Sequence, residues 1–158
     1  CKPNFEDKYL FEMLILESFQ AGLSCECVLN KRENFRKAFD NFDIEKICNY
    51  NDGKIQELLK NEKIIRNKLK INAAINNSKI FKKIQNEYGT FHNYLKTFTN
   101  DVIIYEIDKT TNKLSDNLSK DLQKNGMKFV GSTIIYSYLQ AIGIIYSHDK
   151  ECFMYKNN

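Results

Sequence analysis

In this chain of 158 residues, proline occurs once, at Pro3, and glycine only six times, so almost nothing interrupts a helix. Proline removes a backbone donor and clashes with the preceding turn, and glycine costs about 1 kcal/mol in a helix interior; their scarcity leaves long stretches free to wind. Apolar residues recur three and four positions apart through most of the sequence, the period of a buried helical face. The fold class expected is all-α, a single helical domain over residues 1–158 with little room for strands.

The segments follow from periodicity and punctuation. Phe5 to Gln20 reads as a helix with Leu10, Met13, Leu14 and Glu17 on one side, and Ser24 is placed to cap a second helix running to about Phe42. Gly22-Leu23 is the joint between them. Further helices are expected over Ile44–Asn49, over Asp52–Lys60 with Asp52 as its cap, over Lys70–Tyr88 with Gly89 as its stop, and over Phe91–Phe98. Thr99 to Ser115 turns polar and reads as a mobile or variable connection, in which Val102 to Tyr105 hints at a brief extended or docked piece.

Composition removes several function classes. Hydrophobic residues make up 42% and charged residues 28%, as in ordinary globular proteins, and no apolar run approaches the ~18 residues of a membrane-spanning helix. No leader pattern is visible, so a cytoplasmic address is expected. Five cysteines, an odd number with no CxxC pair, read as reduced thiols. A net charge of +4 leans toward an anionic partner without deciding the matter.

Two stretches carry chemistry. Glu17 lies between Leu16 and Phe19 on a strongly apolar helix, one turn before the Gly22-Leu23 break. An idle charge there is costly, although a surface glutamate is the plainer alternative. The second stretch runs from Leu118 to Ile142, where two helices flank the connection Gly126-Met-Lys-Phe-Val-Gly131. Glycines at both ends let main-chain N–H groups approach a phosphate, and the helix opening at Ser132 points its positive end at the same anion. Lys120, Lys124 and Lys128 add positive charge nearby. These are the physics of a helix-hairpin-helix clamp on DNA; a Schellman helix end followed by a capped helix explains the same residues equally well.

His148 and Cys152, four apart, can reach one metal from a helical turn, though such a pair taken alone usually means nothing. His92 and the basic residues Arg66 and Lys70 read as solvated surface positions.

Three blocks in order and in register, Leu10-Phe-Glu-Met-Leu-Ile-Leu-Glu-Ser-Phe-Gln-Ala-Gly-Leu-Ser24 continuing into Leu29–Phe39, Asn61-Glu-Lys-Ile-Ile-Arg-Asn67 with Lys70-Ile71, and Ser119 through Gly143, resemble the bacterial DNA-3-methyladenine glycosylase I family. The resemblance spans Pro3 to Cys152, apart from the polar connection. It implies a monofunctional base-excision enzyme of the helix-hairpin-helix type, probing double-stranded DNA as a monomer and flipping an alkylated base into a pocket. It makes Glu17 the base-recognising carboxylate and Leu23 the wedge that fills the vacated stack. Gly126, Lys128, Gly131 and Ser132 become the DNA-backbone contacts. His148 and Cys152 become ligands of a structural zinc.

The pattern also departs from the family. Cys25 stands where the family has a tryptophan that stacks on the extruded base, a contact worth roughly 1–3 kcal/mol in comparable settings. The family's N-terminal segment, with a pocket tyrosine and two further zinc ligands, has no counterpart here, so the zinc set is half present. No lysine matches the lyase position of the wider superfamily. The alternative reading is an incomplete or degenerate relative that binds DNA non-specifically without excision.

Overall fold

The computed structural model describes residues 5–20 and 25–147, and for residues 25–30 the backbone alone. The described residues form eight α-helices: α1 (Asp7–Gln20), α2 (Cys25–Ala38), α3 (Ile44–Cys48), α4 (Asp52–Lys60), α5 (Lys68–Tyr88), α6 (Phe91–Thr99), α7 (Lys113–Lys124) and α8 (Ser132–Ala141). Two short strands, β1 (Ile104–Tyr105) and β2 (Ile145–Tyr146), pair in parallel, with Ile104 opposite Ile145. The all-α expectation holds, and the strands are a two-residue clasp.

α1 is the hub. Every residue from Leu10 to Phe19 is buried, which gives the helix no solvent face over that span. A one-sided apolar stripe was expected; instead α2, α5, α6 and α8 all pack against it, because its sequence is apolar all round. Asp7, at its start, ties it to the next layer: the carboxylate accepts hydrogen bonds from the Phe91 and His92 N–H groups that open α6, at 2.8 and 3.3 Å, and from Gln85 at 2.8 Å.

Several boundaries differ from expectation for local reasons. α2 stops at Ala38, short of Phe42, and the chain turns through three successive left-handed residues, Asp40, Asn41 and Phe42, with φ of 54, 57 and 56°. Asp and Asn tolerate that region, and the turn carries the Phe42 ring into the core, stacked 6.0 Å from Phe39. The cap of α4 is Asn51, whose side chain accepts from the Lys54 N–H; Asp52 is the first helical residue. α5 begins two residues early because Asn67 caps it through the Lys70 N–H.

The polar connection, expected to be mobile or variable, is fastened, and the brief extended piece expected over Val102–Tyr105 is present as β1. Asn112 and Ser115 form a reciprocal capping box that starts α7 at Lys113. Ahead of it, the Ile104 and Glu106 N–H groups bond to the carbonyls of Ile144 and Tyr146. Glu106 then accepts from the Tyr136 hydroxyl at 3.0 Å and from Asn112 at 2.9 Å. His92 is also less superficial than expected, its ring stacked 4.4 Å from Phe5 and bonded to Asp101.

Candidate functional site

α1 holds two buried acids, Glu12 near its middle and Glu17 in its last turn, each 7% exposed. Five residues apart, they project about 140° from one another around the helix. Glu12 faces α2, where Arg32 Nε and Arg36 Nε approach its carboxylate at 2.9 and 2.8 Å. That pairing neutralises Glu12 and fastens α1 to α2. Glu17 sits in the last turn, beside Leu16 and the fully enclosed Phe19, so its charge is held away from bulk water as the sequence demanded. Tyr9 senses both acids: burial raises its phenol pKa, the Arg32 cation opposes the rise, and Glu12 and Glu17 add to it. Its hydroxyl donates to the Ala141 carbonyl, joining α1 to the end of α8.

α5 sends Lys70 back to the end of α1. Its ammonium donates to the Phe19 carbonyl at 2.9 Å, and burial lowers its pKa. Lys70 is therefore not the solvated surface lysine expected. Arg66 is exposed as expected, and next to Lys70 the side chain of Leu69 is 72% exposed.

The hairpin between α7 and α8 is built from several independent fastenings. α7 ends in a Schellman motif: the Met127 N–H bonds to the Leu122 carbonyl and the Gly126 N–H to that of Gln123, with Gly126 at φ 102°. A Cβ at Gly126 would lie 2.9 Å from Ile80 Cδ1, so backbone angle and packing both favour glycine. Gly131 is different. Its φ is −61°, open to any residue, and a Cβ there would meet nothing within 4 Å. It caps α8 with no side-chain hydrogen bond to the first N–H groups of the helix. The Ser132 hydroxyl is engaged with Asp116 and Ser115. Lys120, Lys124 and Lys128 are all exposed. The Schellman reading holds at Gly126, and the turn at Gly131 leaves room for the anion cradle expected there.

Sequence reasoning missed what holds the hairpin. Asn77, fully buried in the middle of α5, grips the Lys128 backbone with both ends of its amide, donating to the carbonyl at 2.8 Å and accepting from the N–H at 2.9 Å. Its neighbour Asn76 donates to the Gly126 carbonyl, and Ser119 donates to that of Val130. Phe129, at the tip, is left-handed at φ 56° and about one-third exposed at 36%. Asparagines inside a helical run signal nothing by themselves, so only their pairing with a loop 51 residues away reveals the clamp.

Leu23, His148 and Cys152 lie outside the described residues, and so does the side chain of Cys25; the joint and side chains expected to wall a hollow beside Glu17 are among them. Among the described residues, no cluster of three or more His, Cys, Asp or Glu is arranged to hold a metal ion, and no helix is long and apolar enough to cross a membrane.

This geometry has known counterparts. A family model described as methyladenine glycosylase matches residues 1–155. The DNA-3-methyladenine glycosylase 1 of Escherichia coli strain K12 is 38% identical, over 99% of this chain and 87% of its own length. The DNA-3-methyladenine glycosylase of Haemophilus influenzae is 34% identical, over 96% and 85%. Among solved structures, a variant of 3-methyladenine DNA glycosylase I in complex with 3-methyladenine superposes with a TM-score of 0.89 at 31% identity, over 97% of this chain and 86% of that one. Another, of the Staphylococcus aureus enzyme, also gives 0.89 at 31% identity, over 97% and 85%.

Proposed function

The chain belongs to the methyladenine glycosylase family, and from that premise we propose that it excises 3-methyladenine from alkylated DNA in base-excision repair. The observation that carries the mechanism is Glu17, a carboxylate only 7% exposed at the end of the central helix.

N3-methylation makes the base cationic, which weakens the glycosidic bond before any protein acts. Water adds to the sugar C1′, the bond to the base breaks with its electrons passing to the ring, a proton is lost to solvent, and 3-methyladenine leaves as a neutral molecule. Strong acid catalysis is unnecessary, so the protein's task is selection. A carboxylate about 4 Å from a cation is worth about 4 kcal/mol at an effective dielectric near 20, and a neutral adenine gains little of this. Glu17 in this role accepts hydrogen bonds from the adenine edge and favours the charged base.

Duplex DNA is taken as the substrate, gripped by the hairpin. The N–H groups at Gly131 and Ser132, the glycine turn at Gly126 and the Lys128 ammonium contact phosphates, positioning the protein without reading sequence. Leu23 is the wedge and Cys25 the residue beneath the flipped base, in place of the family's aromatic ring. The enzyme is proposed to work as a monofunctional monomer in the cytoplasm. A structural zinc with His148 and Cys152 among its ligands is part of the same proposal, and no step of the reaction is routed through it. Metal analysis of the purified protein tests it.

The central test is release of 3-methyladenine from methylated duplex DNA by Glu17→Gln. Loss of release with undamaged-duplex affinity retained is expected, and undiminished release removes Glu17 from the mechanism. If the unaltered protein binds duplex but releases nothing, the non-catalytic relative is the correct reading.

A further inference from the structure

We propose that Lys70 is a positioning residue for base recognition, its ammonium holding the carboxyl end of α1 and, through it, the orientation of Glu17. The inference rests on the reading of Glu17 given above.

Lys70 has no local reason to be where it is. It occupies the first turn of α5, the positive end of that helix, where a cation is unfavourable, and that turn itself contains no acidic residue. Residues that break a local rule usually answer to something elsewhere. Here the answer is α1, whose last turn carries no basic residue to meet its outward-pointing carbonyls. Lys70 supplies that cation from 51 residues away, with Nζ 2.9 Å from the Phe19 carbonyl oxygen.

The carbonyl it grips is itself well anchored. The Phe19 ring is fully buried and packs 5.0 Å from Phe35 and 5.9 Å from Phe39. Glu17 lies two residues earlier in the same turn, and the joint to α2 follows directly. A shift of that last turn therefore moves the carboxylate with it, and misplacement by about 1 Å can cost on the order of 100-fold in rate. The lowered pKa of Lys70 fits an ammonium drawn partly out of water toward this contact.

The experiment compares Lys70→Met, which keeps the stem and loses the donor, with Lys70→Arg, which keeps a cationic donor. Three quantities are measured on the full chain: affinity for free 3-methyladenine, single-turnover release from methylated duplex, and affinity for undamaged duplex, with thermal melting alongside. Lys70→Met is expected to lower free-base affinity and release by about tenfold each, with undamaged-duplex affinity within about twofold. Lys70→Arg is expected to restore most of both. Should Lys70→Met fail to fold, Lys70→Leu, which also lacks a donor, is read by the same criteria. If duplex affinity falls while free-base affinity stays, Lys70 is a phosphate contact and the inference is overturned. It is overturned equally if Arg and Met behave alike, or if Lys70→Met is normal while Glu17→Gln is inactive. An active Glu17→Gln removes the underlying reading as well.

Discussion

Replacing Asn77 by alanine tests whether the α7–α8 hairpin is held from α5. The wild-type amide makes two hydrogen bonds with the Lys128 backbone, at 2.8 and 2.9 Å, from a fully buried position. Each is worth about 1 kcal/mol net, and leaving the Lys128 N–H and carbonyl unpaired adds about 1–2 kcal/mol, so the loss is about 3–4 kcal/mol. In a chain of this length each kcal/mol lowers the melting temperature by about 2–4 °C, placing the variant roughly 6–16 °C below wild type. Urea and thermal unfolding followed by circular dichroism give both numbers. Asn77→Asp sharpens the test: it keeps an acceptor for the Lys128 N–H but turns a second acceptor on the Lys128 carbonyl, so it should destabilise at least as much as alanine. Below the transition, duplex affinity of the folded Asn77→Ala protein should also fall as the hairpin loosens. A destabilisation under about 0.5 kcal/mol, the size of an ordinary surface substitution, would refute the clamp.

The two hairpin glycines should separate folding from binding. Gly126→Ala meets a φ of 102° and should cost about 1–2 kcal/mol in denaturant unfolding, whereas Gly131→Ala, at −61° with nothing within 4 Å of a Cβ, should leave stability within about 0.5 kcal/mol yet weaken duplex binding. Unchanged affinity in Gly131→Ala would mean that no phosphate approaches there. Glu106 predicts an acid-linked effect. Burial raises its pKa, but hydrogen bonds from Asn112 and Tyr136, with Lys109, outweigh this and set it below the ordinary 4.5. A carboxyl depressed in the folded state stabilises above its unfolded pKa and loses that contribution as pH falls through the folded value. Glu106→Gln should therefore lose less stability than wild type when melts are compared from pH 6 down to well below 4.5. Parallel pH profiles would exclude the contribution.

Local chemistry wrote much of this molecule into its sequence. The Gly89 stop of α5, the near-continuous helicity and the glycine turn at Gly126 are all consequences of residues within a few positions of one another, and they read off directly. Burial of Glu17 was also legible, since Leu16, Phe19 and the residues a turn before it, Met13 and Leu14, are apolar. Tertiary structure decided the rest, because each remaining feature joins groups far apart in the chain. The Asn77 grip and the Lys70 contact each span 51 residues, and the β1–β2 clasp joins Ile104 to Ile145. An asparagine or lysine on a helix looks the same whether it faces water or a distant carbonyl. Which of these it faces is fixed only when the core has folded, and removal from water then makes a partner for each polar group obligatory.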